Sequence, residues 1–239
     1  MSTPRILTPR RLPLPPSKLL LPHRRAPPRR SFITLPDASK PQHVTAARRL
    51  PYDHARLYDL IADVDSYVRF LPYCKVSRVT QWTARPDANG RRWPTRADLT
   101  AGWGGVEETY TSRVFCVPHL GVVEAISGDA ATEIAAADLR EQGLADPGPE
   151  AGGGGGGGVF ESLVTRWTVS PAGDASRADR FQHGWSDVRL SIRYRFANPL
   201  YTAISGAVAD RVAPVMIEAF VEQARRILGE TGKDAETLR

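Results

Sequence analysis

The groupings in this chain that have the residue types for acid–base or nucleophilic chemistry are few, and each fails on spacing or setting. Glu107 and Glu108 form a carboxylate pair, but neighbours on an extended strand point to opposite faces and cannot share one proton site. His183-Gly184-Trp185-Ser186-Asp187 holds the letters of a nucleophile group, yet it lies in a polar stretch without the strand–turn–helix elbow that exposes a catalytic serine. His119 follows Pro118 at a turn and has no partner in sequence. The remaining histidines, His23, His43, His54 and His183, make no i, i+4 pair, and Cys74 and Cys116 offer neither a disulfide framework nor metal spacing. The glycine run 152–158 mimics a phosphate-cradling loop, but no Gly-Lys-Ser/Thr follows and a strand begins where a helix should. Tyr110 and Ser112 survive this sifting as hydrogen-bond donors two apart on one strand face. Binding is expected, and catalysis is not.

The elements that must position those donors are read from hydrophobic period. Val44–Leu50 reads as a short strand, and Asp53 caps a helix with apolar residues at Leu57, Leu60, Ile61 and Val64. Strands follow over Tyr73–Thr83, Arg96–Trp103 and Val106–Val117, then near Leu120–Ile126, over Phe160–Val169 and over Val188–Phe196. In the last, Val188, Leu190, Ile192, Tyr194 and Phe196 alternate with polar residues, as in an antiparallel sheet covered on one side only. Asn198-Pro199 opens a long terminal helix to about Gly229, with an apolar stripe through Ile204, Val208, Val212, Met216 and Phe220 and a kink expected at Pro214. Residues 128–158 are rich in Ala, Gly and acids and are expected to be a disordered insertion; 171–184 reads as a second polar loop.

The chain of 239 residues has room for one domain with appended segments. Residues 1–36 carry eight Lys or Arg and no acid; removing them leaves 24 bases against 26 acids, a net of −2. The basic character therefore belongs to a leader, which argues against nucleic acid as a partner of the body. An acid-free, Arg-rich start has the marks of a mitochondrial transit peptide, with Arg30-Ser31-Phe32 before Ile33 resembling a processing site. Ten prolines in the first 41 residues depart from the usual amphipathic import helix. The expected division is thus a leader at 1–36, a ligand-binding domain at 43–229 and a polar tail at 230–239.

One long helix over a single apolar sheet face requires an α+β helix-grip: a curved antiparallel sheet around a C-terminal helix. Inward positions mix large residues (Trp103, Tyr110) with small ones (Ala97, Ala101, Ser112), which leaves volume. The run Tyr58-Asp59-Leu60-Ile61-Ala62-Asp63-Val64-Asp65-Ser66-Tyr67-Val68-Arg69-Phe70-Leu71-Pro72-Tyr73-Cys74 resembles the signature of the coenzyme Q-binding START-like proteins, a branch of the polyketide cyclase/dehydrase-type group. Further matches follow in order at 105–114, 158–167 and 215–224, so the resemblance covers about 44–229. It implies a lipid carrier or chaperone that binds ubiquinone, or a related polyprenyl lipid, in support of respiration and quinone synthesis. It also implies a matrix-side protein peripheral to the inner mitochondrial membrane.

On that basis Leu71, Trp103, Val106, Tyr110, Ser112, Leu163, Trp167, Val212, Met216 and Phe220 are the expected ligand wall. Tyr67, Phe70, Leu71 and Pro72 are the expected mouth, exposed to lipid. Arg166 is a further donor on the same strand as Trp167, or else an exposed strand charge. No metal or cofactor is expected, with ubiquinone entering as bound ligand. Two other readings go with the same resemblance: a ribosome-associated interaction module, which needs a basic face, and a polyketide-type cyclase, which needs convergent acid and base groups.

Overall fold

A computed structural model describes residues 41–103, 106–145, 160–172 and 184–230, with the side chains of 103, 106 and 199–210 left outside. Seven strands run in chain order: β1 (Gln42–Leu50), β2 (Cys74–Trp82), β3 (Pro94–Trp103), β4 (Val106–Val117), β5 (Val122–Gly128), β6 (Phe160–Pro171) and β7 (Ser186–Phe196). Three α-helices accompany them: α1 (His54–Ala62), α2 (Ala136–Glu141) and α3 (Pro199–Leu228). The strands form one antiparallel sheet in the order β1-β7-β6-β5-β4-β3-β2. Every expected strand is present, and the arrangement is the helix-grip form of an α+β fold. The leader, residues 146–159 and residues 173–183 lie outside the described residues.

One face of the sheet is closed by α1 and α3. Asp53 caps α1 by accepting from the backbone N–H groups of Ala55 and Arg56, which fixes where the helix begins. From α1 the buried Leu57, Tyr58 and Ile61 meet the sheet, and from α3 Ala213, Ile217, Phe220, Val221 and Ala224 do so. The C-terminal half of α3 is tied down at both ends. Arg48 on β1 pairs with Glu218, and the Tyr52 hydroxyl donates to the Gly229 carbonyl at 2.6 Å.

The opposite face departs from expectation. Residues 128–145, read from composition as part of a disordered insertion, pack here as a cover. Ile134, Leu139 and Leu144 form a second core with Phe115, Val117, Val122, Ile126 and Val164. Helix α2 ends in a Schellman motif, with Leu144 N–H bonded to Leu139 at 2.8 Å and Gly143, at φ 66°, bonded to Arg140 at 3.0 Å. The middle strands are therefore buried on both faces, not on one. This cover is also bolted by charge. Glu124, wholly buried, accepts from Arg166 Nε at 2.7 Å and from the Thr132 hydroxyl, while Arg195 bridges Asp129 and Glu161.

Removing Arg166 leaves the wholly buried Glu124 carboxylate without a countercharge, with the Thr132 hydroxyl as its remaining donor among the described residues. Arg166→Met is expected to cost about 3–5 kcal/mol in urea unfolding. The double change Glu124→Met with Arg166→Met recovers most of that loss. Equal destabilisation by single and double variants would show that the pair is not what holds the cover.

Candidate functional site

Strand alternation brings the site together. Leu99 faces Tyr110 in the β3–β4 register, Val114 faces Ala125, Ala125 faces Thr165, and Val123 faces Trp167. These side chains project from the covered inner face and meet Val64, Tyr67 and Leu71 from the α1–β2 connection and Met216 from α3. Together with Ser112 and Leu163 they enclose a cavity of about 60 Å³. At one end, Tyr110, Phe160, Tyr194 and Phe196 form an aromatic group with centroid separations of 5.0–6.5 Å. At the other, Trp167 lies 5.3 Å from Phe220.

The connection from α1 to β2 is held by two polar residues of the stretch on which the family resemblance rests, Asp65 and Tyr67, together with Ser77 on β2. Asp65 accepts from Val79 N–H at 2.6 Å, Ser77 donates to the Val64 carbonyl at 2.6 Å, and the Tyr67 hydroxyl donates to the Ile61 carbonyl at 2.5 Å. These bonds lock a 3-10 turn (Val64–Arg69) against edge strand β2. The motif is thus a clamp that sets Val64, Tyr67 and Leu71 against the cavity. Its consequence for the expected mouth is a correction. Tyr67 and Leu71 are buried in the wall, Phe70 and Pro72 are half-buried, and the exposed apolar residues nearby are Val68, Tyr73 and Val76. Tyr73 has φ 68°, the one positive φ of a non-glycine among the described residues. Its carbonyl accepts from Gly102 N–H at 2.9 Å, which joins this turn to β3.

Of the expected wall, Leu71, Tyr110, Ser112, Leu163, Trp167 and Met216 line the cavity. Phe220 is wholly buried behind Trp167, and Val212 is half-buried against the core without reaching the lining. Trp103 and Val106 lie outside the described side chains. Arg166 points to the opposite face, to Glu124, so it does not serve the cavity. Val64, Leu99, Val114, Val123, Ala125 and Thr165 were not anticipated. Val64 stands on the 3-10 turn; for the other five the strand parity was visible, but which residues sit opposite Tyr110 and Trp167 depends on register.

The electrostatics are those of a neutral, dry site. Among the described residues that line it there is no carboxylate, imidazole, amine or guanidinium. Burial pushes the Tyr67 and Tyr110 phenols well above the ordinary range, so both stay protonated donors. Ser112 Oγ lies 2.7 Å from Ser127 Oγ, and that pair satisfies one hydroxyl with the other. Trp167 is only 3% exposed, and its Nε1 is buried without a hydrogen-bond partner among the described residues. Away from the cavity, His119 approaches Asp138 at 3.4 Å on the surface. Glu107 pairs with Lys75, so the two adjacent glutamates share no site.

Comparison with known proteins bears on what such a site holds. Residues 50–133 and 156–221 match the model of the family described as polyketide cyclase / dehydrase and lipid transport. The mitochondrial coenzyme Q-binding protein coq10 of Schizosaccharomyces pombe is 31% identical over 75% of this chain and 85% of its own length. The ribosome association toxin RatA of Pseudomonas aeruginosa is 24% identical, over 78% of this chain and 98% of its own. Among solved structures, the Zhui aromatase/cyclase of Streptomyces sp. R1128 superposes with a TM-score of 0.54 at 14% identity, covering 81% of this chain and 99% of that one. That likeness speaks to the fold.

The buried phenols give a pH test of the site's dryness. In the unfolded chain a tyrosine ionises near 10.0, whereas Tyr58, Tyr67 and Tyr110 hold their protons to higher pH when folded. Their contribution is fully present below pH 10 and is lost as pH rises above it, because the unfolded state releases protons first. Stability should fall by about 1.4 kcal/mol per pH unit for each such phenol above that point. Tyr110→Phe should flatten the slope by one phenol's share, and an unchanged slope would place Tyr110 in contact with water.

Proposed function

The chain belongs to the polyketide cyclase / dehydrase and lipid transport family, and on that premise we propose that it binds ubiquinone in the cavity between the sheet and α3. In this reading it serves as a carrier or chaperone supporting respiratory electron transport and quinone synthesis. The observation that carries the proposal is the lining itself: among the described residues, apolar side chains with neutral donors and no group that is charged near neutral pH. A polyprenyl quinone asks for that combination. Its tail gains about 25 cal/mol per Å² removed from water, and its ring carbonyls need donors in a dry site. The absence of a charged group from the lining also supports binding over catalysis, since a cyclase needs convergent acid and base groups.

Size sets a condition. A cavity of about 60 Å³ is less than half of the roughly 150 Å³ in which an engineered apolar cavity takes up benzene. Loading therefore requires the wall to part, and Met216 is the lining side chain best suited to yield, being unbranched and only half-buried. We place the protein at the matrix face of the inner mitochondrial membrane. The acid-free leader supports this, as does the mitochondrial naming of the S. pombe relative. Val68, Tyr73 and Val76, with Phe70 and Pro72 beside them, are the residues that would meet lipid in the role first assigned to Tyr67 and Leu71. The similarity to a ribosome association toxin supports a second reading as an interaction module; the net of −2 outside residues 1–36 weighs against it.

Protein purified from a quinone-making host is expected to release ubiquinone on solvent extraction, at an amount comparable to the folded protein. Met216→Glu places a carboxylate on the wall and should abolish that content. Val215→Glu, on the exposed neighbour, should retain it. Folded wild-type protein that extracts empty, and that sediments with ribosomal subunits instead, would replace the carrier with the interaction module.

A further inference from the structure

We propose that the indole N–H of Trp167 is the head-group anchor of this cavity, donating a hydrogen bond to a ring carbonyl oxygen of the bound quinone. The inference rests on the quinone-binding reading above and adds to it a contact and an orientation.

The fold provides for the donors of the other buried aromatic and serine residues, whereas Tyr110, whose hydroxyl also has no hydrogen bond among the described residues, is only half-buried. The Tyr58 hydroxyl donates to the Val122 carbonyl at 3.2 Å, and Tyr67 donates to Ile61. Ser112 pairs with Ser127, and the indole of Trp93 donates to Asp87 at 3.0 Å. Trp167 Nε1 is the exception. Arg195 Nε, the other buried atom without a hydrogen bond among the described residues, lies 2.6 Å from a Glu161 carboxylate oxygen. The side chains that pack directly on Trp167 offer it no acceptor. Its register partners on either side are Val123 and Leu190, and Phe220 covers it from α3. A buried N–H left bare is costly, and a native fold that leaves one at a cavity wall has usually left it for something else.

Chemistry narrows what that is. An indole N–H only donates, so its partner must present an acceptor. A ligand that fills the cavity expels whatever water sat there and must return the acceptor it removed. A carbonyl oxygen does so, whereas a hydrocarbon chain does not. The apolar tail consequently belongs elsewhere. With the ring in the row of Val123, Trp167 and Leu190, the tail runs back along β6 past Thr165, whose Cα lies about 7 Å away, toward Leu163 and the aromatic group at Tyr110.

Two measurements on the full chain test this. In 15N-labelled wild-type protein, ubiquinone with two isoprene units should move the Trp167 indole resonance downfield. A diprenyl arene of the same carbon skeleton without ring oxygens should bind more weakly and leave that shift in place. Trp167→Phe keeps a ring against Phe220 and should weaken the quinone about tenfold while leaving the arene unchanged. Quinone binding with an unmoved Trp167 resonance, or equal losses for both probes in the variant, would overturn the anchor and leave the quinone reading standing. Wild-type protein that binds neither probe would overturn both.

Discussion

A β-strand sends every second side chain to the same face, and in β3 to β6 that parity delivers a largely apolar field to one side of the sheet. The chain supplies α1 and a single long helix to cover it. A rod laid across a curved sheet makes good contact along part of its length and poor contact elsewhere. Ala213, Ile217, Phe220 and Ala224 are wholly or almost wholly buried where contact is good. The cavity lies where Met216 faces Ala125 and Thr165, with small or β-branched side chains on the strand side. Everything proposed about function depends on that mismatch between a rod and a bowl.

The other face of the sheet shows what closure looks like when the sequence provides for it. Ile134, Leu139 and Leu144 fill the space over Phe115 and Ile126, and charged groups seal the edge. The inner face uses few such bolts, and those near it fasten the frame. Asp65, Ser77 and Tyr67 secure the 3-10 turn, and Glu218 secures α3 to β1. The wall between is left neutral and free of ion pairs. A fold shared with an aromatase/cyclase can thus serve binding or catalysis according to the side chains it lines the bowl with.

Much of this was legible before any coordinates. Alternation marked all seven strands, Asp53 marked the start of the short helix α1, and Asn198-Pro199 that of the long helix α3. Residues such as Tyr110, Ser112, Trp167 and Met216 could be assigned to the inner face by parity and stripe. Three kinds of information were not legible. Register decides that Ala125 and Thr165 lie between Val114 and Ile192, and it is set by loops whose geometry composition does not encode. Tertiary cover decides that 128–145 is ordered: six residues of α2 are too few to fold alone, and the segment holds only because the sheet offers it an apolar face. Hydrogen bonding decides that Tyr67 faces inward as part of a clamp, since an amphipathic residue in a motif reads equally well as an exposed lip.

The central claim, that a lipid quinone occupies the space under α3, is tested most directly by photolabelling with an azido-ubiquinone followed by peptide mapping. Adducts are expected on the inner-face residues of β4 and β6 and on the turn of α3 that carries Met216, with excess unlabelled ubiquinone suppressing them. Adducts confined to the α2 side of the sheet, or labelling indifferent to competitor, would contradict the account.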